Sequence, residues 1–507
     1  MEDKVIVTHG AALHAKYDNG GVGKIRTALA ALVQADKARG FLTRVVYLDD
    51  VAVMKKLRAP PLRKLKDPRG AKKAIDGVYK ALKPDYILIL GSADVVPHQD
   101  LRNPAQEPQG DKTAYGDLPY ACDAPYDRDP ANFVGPTRVV GRLPDLTGAT
   151  EPSYLLGLLK TAATWKSRPV DDYKEYFGLS ADEWKGSTGL SLDNIFGSDK
   201  KLKLSPKRGP NFPSSALKGM MHFINCHGAT GMPEFYGQNG QSYPKALTSK
   251  STDGKVREGT IAAAECCFGA ELYNSVILGG IPICQNYLRQ GAYGFVGSTT
   301  IAYGPADGNG AADLICQYFL LAVLDGASLG RAMLMARQQY VAGASQMDPI
   351  DLKTLAQFCL YGDPSIHAVA APHAVNTPHE ADPAAAFRFR RSERRAKLRQ
   401  TGDFLQATKP TASSRDMKHA ASPNAEETLA KIAASAGLDD KPHFVTYKVK
   451  GAPPARGGGK KVASAPSRYY VAIERPPPKS EEDRYRVAVV AKELDGRIVD
   501  YCVYYER

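Results

Sequence analysis

Short apolar runs of β type alternate with helical patterns over the first hundred residues: 5–8, a helix over 25–39, 45–48, a helix over 71–82, then 86–90. Such runs, with little polar interruption, suit strands buried on both faces, and their alternation with helices predicts a parallel, helix-covered sheet. Residues 113–152 are rich in Asp, Pro, Gly and Tyr and close on the short strand 137–141. They read as a long loop tying two sheet units together. A helix near 154–165 opens a second α/β unit, with β-runs at 221–225, 260–266 and 294–297 and helices over 311–324 and 329–342. After Val369 the composition turns to Ala, Pro, Arg, Lys and Ser with little apolar periodicity, which predicts a disordered linker over 371–424. Alternation returns at 444–449, 469–473, 485–490 and 498–505, the pattern of a small antiparallel β domain over 425–507. The expected organisation is therefore an α/β unit over 1–150, a second over 151–370, the linker, and the β-rich domain.

With 507 residues, 43% of them hydrophobic, the chain is too long for one compact core. Its 67 Lys and Arg against 54 Asp and Glu leave a net charge of +13. Six Arg and one Lys against Glu393 fall between Arg388 and Arg399, so about half of the excess belongs to the linker and nucleic acid is not the expected partner. No stretch has the ~18 apolar residues of a membrane span, and the start lacks the basic head and apolar core of a secretory signal. A cytoplasmic protein that contacts no membrane is expected, with eight reduced cysteines that show neither disulfide spacing nor a zinc pair. The segment Asp18-Asn-Gly-Gly-Val-Gly-Lys24 fails as a phosphate loop: Asp18 stands at the first Gly and Ile25 at the Ser/Thr.

The chemistry is carried by Met221-His-Phe-Ile-Asn-Cys-His-Gly228, a β-run ending on His-Gly, and by Thr260-Ile-Ala-Ala-Ala-Glu-Cys-Cys-Phe-Gly269, a β-run ending on a thiol and then Gly. Two adjacent strands would present imidazole and sulfur side by side at the sheet rim where ligand sites form. A thiol near a His can be held partly as thiolate, and the imidazole can protonate a leaving amine. Gly228, without a side chain, could turn its N–H to a developing oxyanion. His222 should alternate away from the site, and His9-Gly10 has no strand-end thiol to partner it.

At these residues the chain resembles the caspase-like cysteine peptidases. Glu265-Cys-Cys-Phe-Gly269 is similar to the caspase Gln-Ala-Cys-Arg-Gly and the legumain Glu-Ala-Cys, and matching Gly269 puts the nucleophile at Cys267 rather than Cys266. Leu90-Gly-Ser-Ala-Asp-Val-Val-Pro97, Val139-Val-Gly-Arg-Leu-Pro144 and Gly362-Asp-Pro-Ser365, the last ahead of a closing strand, resemble the gingipains. The resemblance implies a degenerate first unit, a catalytic second unit and a His227–Cys267 dyad. The N–H groups of Gly228 and Cys267 would hold the oxyanion, with no cofactor and no metal that can be placed. It further implies Asp182 as support for His227. Glu265 and Asp193 would be pocket acids, and Ser298, Thr299 and Tyr303 the pocket wall. An acidic pocket implies cleavage of protein or peptide substrates after Arg or Lys, with Asn as runner-up. The basic stretch from Arg388 would then be open to self-cleavage. Alternatively, the chain is a catalytically silent scaffold whose C-terminal domain binds a regulatory protein.

Overall fold

The computed structural model describes residues 2–108, 110–240, 242–370, 383–438, 442–450, 467–475 and 485–507. The two expected α/β units do not build separate sheets. Ten strands form one: β1 (Lys4–Thr8), β2 (Thr43–Tyr47), β3 (Tyr86–Leu90), β4 (Val139–Leu143), β5 (Tyr176–Ala181), β6 (Leu202–Ser205), β7 (Met221–Asn225), β8 (Ile261–Ala264), β9 (Gly294–Ser298) and β11 (Phe358–Gly362). Their order is β2-β1-β3-β4-β11-β9-β8-β7-β5-β6. Every residue of β1, β3, β4, β7 and β8 is buried, as the continuous apolar runs require. Helices α1 (Gly10–Ala38), α2 (Pro68–Leu82) and α3 (Ser153–Thr164) contribute to one hydrophobic cluster. A second is built with α4 (Lys185–Phe196), α5 (Ala311–Leu324) and α6 (Leu329–Gly343).

Strand direction positions the site. The strands β1 to β4 and β11 run parallel to one another, β5 to β9 run parallel to one another, and the antiparallel pair β9–β11 reverses the sense. The carboxyl ends of β7 and β8 therefore open on the rim opposite that of β1. His9, at the end of β1, is on the wrong side, and its ring accepts from the Ala12 N–H as the N-cap of α1.

The strand expected after Gly362-Asp-Pro-Ser365 instead precedes it, as β11. Asp363 is taken up by the buried Lys4, at 2.5 Å, which also meets Asp36 at 2.8 Å.

The linker expected to be disordered is helical where it is described: α7 (Pro383–Thr408) is followed by β12 (Thr411–Arg415) and α8 (Pro423–Ser435). Residues 371–382 and the side chains of Arg388, Arg390 and Arg391 lie outside the described residues. Ala, Arg, Lys, Leu and Gln are all strong helix formers, so a low apolar content did not mean a shapeless chain. The helix docks through Arg395 on Asp85 at 3.0 Å and through buried Leu405.

The C-terminal β domain is also not separate. Its strands β12, β13 (Val445–Lys450), β14 (Ser467–Glu474), β15 (Val487–Leu494) and β16 (Arg497–Glu506) form a six-stranded sheet completed by β10 (Tyr303–Gly304), in the order β10-β16-β15-β14-β13-β12. Tyr447, Val471, Ala488 and Tyr504 share the second hydrophobic cluster with Ile315 of α5. The strand β16 thus carries the end of the sequence to the rim where β7 and β8 finish.

Candidate active site

Parallel pairing ends with Ile224 of β7 opposite Ala264 of β8; His227 and Cys267 follow three residues beyond, where His227 and Gly228 pair antiparallel with Tyr236 and Phe235. Close approach there depends on Gly228: a β-carbon on it would stand 1.8 Å from the carbonyl oxygen of Cys267. The backbone N–H groups of Gly228 and Cys267 both donate to one acceptor, the carbonyl oxygen of Arg507, at 3.3 and 3.2 Å. Two amides converging on a single oxygen are the arrangement that stabilises an oxyanion.

His227 is buried. Its Nε2 is 2.6 Å from Gln238 Oε1, its Nδ1 has no hydrogen-bond partner among the described residues, and its ring lies against Trp184 (4.2 Å between centroids) and stacks on Tyr485 (3.7 Å). Burial pulls the imidazole down to about 3; the Gln238 hydrogen bond opposes this and the Arg507 cation adds to it. The Cys267 thiol is buried too, accepting from the Ala302 N–H at 3.2 Å. Burial first, and the Glu506 carboxylate second, push its pKa well above the usual thiol range. In this state both groups are neutral. Cys266 packs in the other hydrophobic cluster, so the two adjacent thiols face opposite sides of the sheet.

Glu265 is wholly buried, and the acid that acts on it is Asp313 in the first turn of α5, not Asp193. Asp193 is solvent-exposed on α4. Burial raises both carboxyls; the charge of Asp313 raises Glu265 further, while Arg507 and a hydrogen bond from Glu265 hold Asp313 down, so the proton the two acids share stays on Glu265. The Arg507 guanidinium enters this pocket. Its Nη2 donates to Pro305 O at 2.6 Å and lies 3.5 Å from Asp313 Oδ1, while the group sits over the Trp184 ring at 4.3 Å. Gly304 makes room, since a β-carbon there would come within 2.4 Å of Nη2.

Asp182 does not support His227: its carboxylate pairs with Lys207 at 3.3 Å, while its backbone N–H donates to the carbonyl of Gln238, whose side chain meets the imidazole. Ser298 and Thr299 turn elsewhere, Ser298 Oγ to Thr300 O at 2.8 Å and Thr299 Oγ1 to Tyr115 O at 2.6 Å. Tyr303 lines the cleft through its backbone, paired with Glu506. Sequence reading missed Gln238, Trp184, Gly304, Asp313 and Arg507. Only Asp313 left a trace, as the single charged residue in the apolar run of α5.

Elsewhere, His98, Asp117 and Cys359 bring ligand-type atoms within 4.8 Å of one another. Arg142 already holds Asp117 by two bonds of 2.8 and 2.6 Å, so that carboxylate is committed to a guanidinium.

His222 faces away from the dyad, bonded to Tyr287 Oη and Gly219 O, each at 2.9 Å. Burial lowers it to about 4, from 6.5 when unfolded. The unfolded chain therefore takes up this proton first as pH falls, so the stability is complete above pH 6.5 and is lost as pH drops toward 4. Between pH 7.5 and 5 the loss from this one residue is about 2 kcal/mol. Urea unfolding of His222→Gln should show a pH-dependent loss smaller than wild type by that amount, and an unchanged slope would refute the assignment.

No protein-family model matches the chain, and no curated protein does. Among solved structures, a protease is similar at 13% identity and a TM-score of 0.46, with 99% of this chain and 97% of that chain covered. Separase, from the Saccharomyces cerevisiae separase–securin complex, is similar at 14% identity and a TM-score of 0.29, over 45% of this chain and 14% of its own. A second structure of that complex gives 13% and 0.27. The chain thus spans a small part of separase, and similarity at these levels carries no residue-by-residue correspondence.

Proposed function

We propose that this chain is a cysteine endopeptidase that cuts after Arg or Lys. Cys267 Sγ attacks the substrate carbonyl carbon, the thiol proton passes to His227, and the oxyanion rests on the N–H groups of Gly228 and Cys267. His227 returns the proton to the leaving amine, and water then hydrolyses the thioester. The observation carrying the reading is the pair of backbone donors on one carbonyl oxygen, one from the residue that bears the thiol and one from the residue after the imidazole. The basic preference is supported by Glu265 and Asp313, buried acids beside a guanidinium.

Fluorogenic peptides varied at the residue before the cut test it. Arg should be turned over fastest, Lys next, and Asp not measurably; a preference for Asp would discard the acidic pocket. A second reading, a silent scaffold, draws on two facts: Cys267 Sγ bonds to the backbone of Ala302, and His227 Nδ1 has no hydrogen-bond partner among the described residues. An absence of turnover with every peptide, under conditions where Cys267 can be alkylated, would favour the scaffold.

A further inference from the structure

Arg507 is bound in three ways at once, and each is a way in which a peptide substrate would be bound. Its chain adds to the cleft wall as an antiparallel strand: Glu506 pairs with Tyr303, Tyr505 pairs with Gly304, and the Arg507 N–H donates to Ala302 O at 3.0 Å. This is strand addition to a free edge, in which main-chain bonds supply affinity and a side-chain pocket supplies selectivity. Its carbonyl oxygen fills the cradle made by Gly228 and Cys267. Its guanidinium fills the acidic pocket and is fully buried. There, guanidinium Nε and Nη1 have no hydrogen-bond partner among the described residues, two donors left over in a pocket whose acids are Glu265 and Asp313.

We propose that the end of β16, Tyr505 to Arg507, is a built-in substrate mimic that keeps the site closed, with Arg507 standing where the residue before the scissile bond would stand. The proposal rests on the peptidase reading and adds its regulation. The mimic is carried by a strand whose other edge is paired with β15 along nearly its whole length, so it is presented at high effective concentration. It also acts on the dyad electrostatically, since the Arg507 cation disfavours a charged imidazole and the Glu506 carboxylate disfavours a thiolate. Access for a competing arginyl chain requires Arg507 to leave, and removing its side chain weakens the hold without touching Cys267, His227 or the cradle.

Two readouts are compared for wild type and Arg507→Ala: turnover of an arginyl fluorogenic peptide, and the rate at which iodoacetamide alkylates Cys267, followed by mass spectrometry. For a tether of millimolar effective concentration and a weak peptide contact, both should rise about tenfold in the variant. The peptide Val-Tyr-Tyr-Glu-Arg added in trans should restore the slow rates, and Val-Tyr-Tyr-Glu-Ala should not. Equal alkylation rates in wild type and variant overturn the mimic, whatever the turnover. Faster alkylation with no turnover in either protein upholds the mimic and overturns the peptidase reading. Should Arg507→Ala not fold, Gly304→Ala expels the guanidinium from the pocket side and should raise alkylation alike; no rise there overturns the proposal.

Discussion

Cys267→Ala is expected to abolish peptide turnover, by a factor of ~10⁴ or more, while leaving the fold intact. The size follows from the role: without the sulfur no thioester forms, and what survives comes from the cradle and from substrate positioning. Stability should barely move. Cys267 packs with zero exposure among apolar side chains, and replacing its sulfur by hydrogen removes one small group and two weak bonds to Ala302. Cys266→Ala is the matched control, since Cys266 faces the opposite cluster and its loss should leave turnover within about threefold. Measuring kcat/KM for both variants with an arginyl substrate, alongside urea midpoints, separates the outcomes. Equal losses would move the nucleophile to Cys266 or off both, and an undiminished rate in Cys267→Ala would end the proposed chemistry.

The second large effect is expected from the pocket acids. Glu265 and Asp313 lie together in a buried site, both raised by burial and Glu265 raised further by Asp313, so one proton and one guanidinium together neutralise the pair. Asp313→Asn combined with Glu265→Gln removes the negative charge and keeps the shape. A substrate guanidinium would then be buried without a counter-charge, costing about 3 kcal/mol, a factor on the order of 10² in kcat/KM for arginyl peptides. A citrullinyl peptide, neutral and almost isosteric, tests the cause. Its kcat/KM should change by less than about threefold, so the Arg-to-citrulline ratio should collapse. A ratio that stays at its wild-type value would show that the two acids serve the fold and not selection. Asp193→Asn, on the exposed face of α4, should leave the ratio alone.

The strands β1, β3, β4, β7, β8 and β9 and the helices α3, α5 and α6 were readable because each is a local event: a run buried on both faces, or a face repeating every 3.6 residues. His227 and Cys267 were singled out on the same local grounds, each being the polar stop of an apolar run with Gly one or two residues on. Glu265 came from the resemblance of Glu265-Cys-Cys-Phe-Gly269 to the caspase and legumain motifs. The misreadings fall where partners are distant in sequence. Asp182 and Asp193 were chosen for likeness of order along the chain, yet the carboxylate of one answers to Lys207 and that of the other to solvent. The linker read as disordered became α7 once Arg395 found Asp85.

By itself the sequence determined that an imidazole and a thiol stand just past the ends of two strands of a helix-covered sheet, because alternation and strand stops are written within a few residues. Only the tertiary structure decided that the two halves share one sheet whose direction reverses at β9–β11, that Asp313 joins Glu265, and that Arg507 lies in the cleft. Those outcomes depend on long-range strand pairing and on which buried charge meets which. No local pattern records either, because pairing energy is set by the partner strand and a buried charge is settled by whatever the completed core brings beside it.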